Sequence, residues 1–323
     1  MISFIAQRIA KAIIVLLALV VLNFFLIRMA PGDPALVMAG EAGAGDQIFV
    51  AQLREKFGLN QPLPMQLFLY VKGIVSLDLG FSFRQQMPVS TLILQRLPAT
   101  LLLTGTAFAI SLALGIMFGA LAARFAGTWA DTAITVLALV FYATPLFWVA
   151  LMAILLFSVA MDWLPSFGYE TVGANYTGLA HVFDVAAHLI LPATTIGLFF
   201  MATYARMTRA SMLEVNRLDF VKTARAKGLS DTVIQRRHVL RNALLPVVTL
   251  AGLQAGTLVG GAVLTETVFA WPGIGRLMYE ALLQRDYNLL LGVFVVCSAM
   301  VLAFNLITDL VYRSVDPRIE FAS

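Results

Sequence analysis

Residues able to do covalent or metal chemistry are sparse in this sequence. His181, His188 and His238 show no metal-ligand spacing, and the single cysteine, Cys297, sits among Val295, Val296 and Met300 as a small buried hydrophobe would. No Ser/His/Asp or Cys/His constellation is apparent, and no G-x-x-x-x-G-K-[ST] phosphate loop occurs. Functional side chains concentrate instead in Arg206 to Pro246, which holds nine bases (Arg206, Arg209, Arg217, Lys222, Arg225, Lys227, Arg236, Arg237, Arg241) against three acids, Glu214, Asp219 and Asp231. The chemistry available there is recognition. Asp219 is a good N-cap for a short helix over 220–227, and Gly228 suits its C′ position. At 100° per residue Phe220, Val221, Ala224 and Gly228 share one arc, with Lys222, Thr223 and Arg225 elsewhere. Ser230 can cap a second helix starting at Asp231. The apolar arc is small enough to enter a partner's cleft, although composition alone would favour a helix lying on anionic lipid.

The elements that must carry this segment are membrane spans. The 323 residues are 60% hydrophobic and only 12% charged, with a mean hydropathy of +0.87. Soluble domains carry about 25% charged residues, so this is the composition of an all-α polytopic membrane protein. An apolar stretch over 12–27, flanked by Arg8, Lys11 and Arg28, reads as an uncleaved first helix with Arg28 snorkelling. Charge-free windows follow at 97–123, 132–161, 185–205, 242–265 and 287–308. Each is long enough for the roughly 20 residues that cross a bilayer, which makes six transmembrane helices. The organisation expected is a helix in 1–30, an extracytoplasmic region over 31–96 and a core over 97–313. Core helices are expected at about 97–123, 132–160, 187–206, 244–265 and 288–311, with a cytoplasmic loop at 207–243 and a tail at 314–323. Lys and Arg gather in the loops of one side and acids in those of the other, so both termini should be cytoplasmic. The 31–96 region balances five acids with five bases and reads as turn-rich at Pro31–Pro34 and Gly40–Gly45. A short amphipathic helix is expected over Phe49 to Phe57 and a surface-lying stretch over Pro64 to Val75. The region is either a solvated loop or a docking surface.

Within the spans, Gly115-x-x-x-Gly119 and Gly252-x-x-x-Gly256-x-x-x-Gly260 permit close helix contact. Pro98, Pro192 and Pro246 fall near span entrances, whereas Pro145 lies mid-span and should kink the third helix. Tyr142, Thr144, Gln254 and Thr257 are polar candidates for a translocation path, with packing as the alternative role. The late spans carry no Asp, Glu, Lys or Arg through their centres, unlike secondary transporters that bind a coupling ion. Energy for uphill transport would have to arrive through a partner protein.

DFVKTARAKGLSDTVIQRRHVLRNALLP resembles the EAA loop of ABC-importer permeases, in the form found in the dipeptide, oligopeptide and nickel permease family. FFLIRMAPGDPA, LQRLPATLLLT, ETVFAWPGIGRLMYEALLQRDY and VDPRI extend the resemblance over essentially the whole chain. Lys222-Thr223-Ala224 stands where the general pattern has Glu-Ala-Ala, and the proline comes later, at Pro246, as in the peptide-type branch. The resemblance implies the type I ABC importer permease fold in a bacterial inner membrane. It assigns ATPase coupling to Asp219, Phe220, Val221, Thr223, Ala224, Ala226 and Gly228. It further implies a homologous second permease subunit, two ATPase subunits that bind ATP and Mg, and an extracytoplasmic solute-binding protein facing 31–96 and Glu266 to Tyr287. No cofactor of its own, no catalytic residue and no nucleic-acid partner is expected. A stand-alone channel or facilitator for small solutes is the alternative, and a membrane scaffold without transport is a third class.

Overall fold

The computed structural model describes residues 2–29, 34–41, 47–56 and 60–315. The side chains of Arg28 and Thr257, and residue Phe57, lie outside the described residues. Helices α1 (Ile2–Met29), α2 (Pro34–Glu41), α3 (Gln47–Lys56) and α4 (Leu63–Val75) lead to a two-stranded hairpin, β1 (Phe81–Ser82) and β2 (Met87–Pro88). Then come α5 (Val89–Arg124), α6 (Trp129–Ala143), α7 (Leu146–Ala153) with a π-helical extension over Ile154–Ala160, and α8 (Leu179–Val215). After α9 (Asp219–Ala226), α10 (Asp231–Val233) runs through a π-helical stretch, Ile234–Val239, into α11 (Leu240–Val268). α12 (Ile274–Gln284) and α13 (Tyr287–Val315) complete the order. Among the described residues five helices are long and apolar enough to cross a membrane, and the bent pair α6–α7, counted as one crossing, makes six.

The chain forms two compact units, Met1–Thr100 with Pro272–Ala303 and Leu101–Trp271 with Phe304–Ser323. In the first, α4 meets α1, with the Phe24 and Tyr70 rings 5.7 Å apart. None of the residues of α4 is buried, and Leu63, Met65, Phe68 and Val75 stand exposed, as on a helix meant for an apolar surface. The core joins Val89, Leu92 and Ile93 to Ile274, Leu277, Leu289 and Val293. Asp286 accepts the Leu289 N–H at 3.0 Å, an N-cap for α13, and also the Ser82 hydroxyl, which ties the hairpin to that helix start. The Thr100 hydroxyl accepts the Ile274 N–H at 2.7 Å and so satisfies the start of α12.

In the second unit α8 is the central helix. Of its most apolar stretch 61% is buried, against 11–28% for the other long helices. α5 approaches it through glycine: a Cβ on Gly115 would overlap Tyr204, and one on Gly119 would stand 2.5 Å from the Ala205 carbonyl oxygen. These two glycines pack as their spacing predicts. Gly252 lies directly against Thr308, whose hydroxyl donates to the Gly252 carbonyl at 2.9 Å. An apolar cavity of about 370 Å³ opens beside that contact, among Leu101, Phe108, Val247, Ala251, Phe304 and Ile307.

Four expectations change. The third span is broken rather than kinked: α6 and α7 meet at 103°. Thr144 is extended at φ −82°, ψ 134°, because Pro145 pushes the residue before it out of the helical region. Pro98, Pro192 and Pro246 are interior to α5, α8 and α11, since α5 and α8 begin well ahead of their charge-free windows and α11 continues helical backbone from Asp231. Pro34 and Gly40, read as turn residues, belong to the helix α2. Finally, the residue at the N-cap of α9 is Leu218, with Asp219 the first helical residue.

Candidate functional site

α9 is an eight-residue helix whose start carries no side-chain cap. Asp219 instead pairs with Lys222 at 2.8 Å, and both side chains are largely exposed, so the pair adds little stability. Its negative charge still favours a helix N-terminus. The Thr223 hydroxyl donates to the Asp219 carbonyl at 3.0 Å. The far end closes as a Schellman motif: the Gly228 N–H donates to the Arg225 carbonyl at 2.9 Å, and the Leu229 N–H to the Ala224 carbonyl at 3.4 Å. Gly228 holds φ +78°, and nothing lies within 4 Å of where its Cβ would be. Glycine is needed there for backbone conformation, not for space.

The face of α9 differs from the projected arc. Val221 and Ala224, one turn apart, are buried with Ala123, Met212, Ile234, Val239 and Ala243. These two positions anchor the helix to its own subunit and leave no apolar arc of four residues facing outward. Phe220 is 40% exposed, while Lys222, Thr223, Arg225, Ala226, Lys227 and Gly228 are exposed as well. Leu218, Leu229 and Val233, which the sequence reading passed over, add exposed apolar side chains on either side of the helix. Their signal was adjacency: each is a large aliphatic residue next to the helix or its following turn, in an otherwise basic segment.

Two polar links fix the surroundings of α9. Asn216, at the C-terminal cap of α8, and Gln235, in the π-helical stretch after α10, exchange amide hydrogen bonds of 2.8 and 3.4 Å. That closes the loop at its base. Arg209 on α8 grips Asp131 on α6 with two hydrogen bonds of 2.7 Å each, and Asp131 also accepts the Gly127 N–H at 3.0 Å. Asp131 is 5% exposed and Arg209 about a third exposed, so this is a half-buried bidentate pair in which the carboxylate's remaining lone pairs are partly satisfied.

The path candidates separate. Tyr142 is 45% exposed, stacks on Phe199 of α8 at 5.6 Å between centroids, and lies under the Arg206 guanidinium at 5.1 Å. Thr144 donates its hydroxyl to the Val140 carbonyl at 2.6 Å and so satisfies its own helix end. Gln254 is half-buried on α11. Thr257 follows on the same helix, and its side chain lies outside the described residues. Between the α7–α8 loop and the start of α8, Glu170 pairs with His181 at 3.2 Å, and Asp184 accepts both the N–H and the hydroxyl of Thr171 at 2.7 Å.

Residues 115–321 match the binding-protein-dependent transport system inner membrane component family, and residues 1–104 match its N-terminal region. The dipeptide transport system permease protein DppB of Escherichia coli is 40% identical over 337 residues, with 99% of each chain covered. The oligopeptide transport system permease protein AppB of Bacillus subtilis is 39% identical over 323 residues, covering 99% of this chain and all of that one. Among solved structures, a chain of the inward-facing MetNI methionine ABC transporter aligns with a TM-score of 0.56 and 21% identity, over 70% of this chain and 96% of that one. A chain of an amino acid ABC transporter aligns with a TM-score of 0.52 and 17% identity, over 70% and 94%. The spans, the glycine-packed core around α8 and the full-length sequence matches agree: this chain belongs to the family of binding-protein-dependent transport system inner membrane components.

Proposed function

We propose that the chain is one of two permease subunits of an ATP-driven importer for peptides, with α9 as the contact through which a separate ATPase subunit drives it. The names of the full-length relatives support the peptide substrate. The observation that carries the coupling role is the construction of α9: a short helix clamped to its subunit by Val221 and Ala224, with most of its other side chains exposed. Such a helix can transmit displacement, because moving it moves the cluster beneath it. ATP and Mg reside on the ATPase partners, a homologous permease completes the path, and an extracytoplasmic binding protein delivers the solute. Closure of the ATPase pair draws the two coupling helices together and opens the path outward; hydrolysis resets it. In this reading that segment and both termini are cytoplasmic, which the positive charge of Arg206 to Pro246 supports.

Gly228 supplies the test. Glu at φ +78° adds about 1 kcal/mol of backbone strain and a bulky charge to the exposed surface. Gly228→Glu should insert normally yet lose solute uptake and ATPase co-purification, whereas Gly228→Asn, tolerant of that conformation, should keep both. Wild-type uptake by Gly228→Glu would overturn the coupling role. ATPase-independent uptake by the wild type would leave a facilitator. A reporter after Lys227 should be cytoplasmic and one after Gly173 external.

A further inference from the structure

We infer that Arg206, set over the Tyr142 ring with Phe199 behind it, is an oxyanion site on the translocation path that takes the free carboxylate of the solute in transit. The inference rests on the permease reading above and adds a ligand-binding residue to it.

Depth comes first. The Asp131–Arg209 pair marks the inner ends of α6 and α8. Tyr142 lies about 16 Å farther along α6 by the 1.5 Å rise per residue, which is near the middle of a span. Arg206 stands about 4.5 Å up α8 from Arg209, and side chains lean toward the N-terminus of their helix, so Arg206 reaches outward, the Tyr142 ring leans inward, and the two meet between those levels, above the inner end. Its guanidinium carbon rests 5.1 Å from the Tyr142 centroid rather than reaching back to the interface as a snorkelling arginine does.

Charge comes next. Arg209, one turn along, has its guanidinium matched by Asp131 through two hydrogen bonds. Among the described residues Arg206 meets no carboxylate and no hydrogen-bond acceptor. It is exposed, as is Tyr142. A bare guanidinium at this depth is unfavourable against hydrocarbon, so this face belongs to a water-filled space. The ring contact engages the guanidinium charge and supplies no hydrogen-bond acceptor. Stacking on Phe199 at an interplanar angle of 20° fixes the ring, and Phe200 meets Phe199 edge-on at 5.3 Å. The planar fork of N–H donors on this exposed side chain matches the two oxygens of a carboxylate.

A single reporter thiol tests this without requiring transport. Leu139 is 53% exposed one turn before Tyr142 on the same face of α6. The full chain with Cys297→Ser and Leu139→Cys, in membrane vesicles, is labelled with anionic and cationic methanethiosulfonates of matched size. The anionic reagent should react about tenfold faster, as a local cation concentrates it. Arg206→Gln should abolish that preference while leaving the rate of an uncharged maleimide unchanged, which shows the fold intact. Arg206→Lys should keep the preference. Alanyl-alanine should slow labelling, and its C-terminal amide at equal concentration should not. Failure of both charged reagents to label, a preference that survives Arg206→Gln, or equal protection by acid and amide would each overturn the site. The readout needs no ATPase, so a chain that fails the Gly228 test can still pass this one. A chain that imports peptides but labels without regard to charge loses only the oxyanion site.

Discussion

The two excursions of the second unit are held by opposite means. α9 and its flanks are fastened from beneath, by Val221 and Ala224 in an apolar cluster and by the Asn216–Gln235 amide exchange. The loop between α7 and α8 is anchored on buried residues through Leu164 and Tyr169, and beyond them it is fastened from its rim. Thr171 reaches Asp184, His181 reaches Glu170, the Gly168 N–H meets the Phe269 carbonyl at 2.9 Å, and Tyr169 rests on Trp271 at 4.9 Å. Gly168, Gly173, Asn175 and Gly178 all take positive φ there. Exposed ion pairs contribute little, while buried apolar anchors and shielded amide bonds contribute more. One excursion is therefore stiffly joined to its helices, and the other, beyond Tyr169, is shaped mainly by its turns.

The largest effect that would break this contrast is Val221→Asp. It places a carboxylate at a fully buried position and should cost about 3 kcal/mol or more. Limited proteolysis in inside-out vesicles should then cut freely within residues 216–235. Asn216→Leu or Gln235→Leu should each cost about 1–2 kcal/mol by stranding the partner amide. The double variant should cost less than the sum, measured by hydrogen exchange of the α9 amides. Asp184→Asn should loosen only the turn at Thr171, read as faster cleavage there in right-side-out vesicles, with α9 protection unchanged. Glu170→Gln should change neither measurement detectably, because both partners of that pair are well exposed. Cleavage in the α7–α8 loop as sensitive to Glu170→Gln as the α9 segment is to Val221→Asp would erase the distinction.

The spans were legible because a charge-free window long enough for hydrocarbon has few other uses, and Gly115 and Gly119 were legible because small residues four apart leave one helix face open. Gly228 announced its own turn. Helix ends were not legible: α8 begins at Leu179, ahead of the uncharged stretch, since a helix continues past the apolar zone wherever its backbone bonds do. The arc through Phe220, Val221, Ala224 and Gly228 was found by angle alone, and angle cannot tell which side faces the subunit's own core. Tyr142 was picked out for its polarity, but its partners Phe199 and Arg206 lie on another helix, and no local pattern in the chain connects them.

From Asp231 to Val268 the backbone is helical without interruption, first α10, then the π-helical stretch, then α11. At 1.5 Å per residue that is a rod of about 55 Å. Its lower end carries Gln235, clasped to Asn216, and its upper end leads into Phe269 and Trp271, both buried. Bending of such a rod concentrates in two places, the wide turns of Ile234–Val239 and the missing amide at Pro246. Both places lie in its first half, so the stretch beyond Pro246 is the part that moves as one piece.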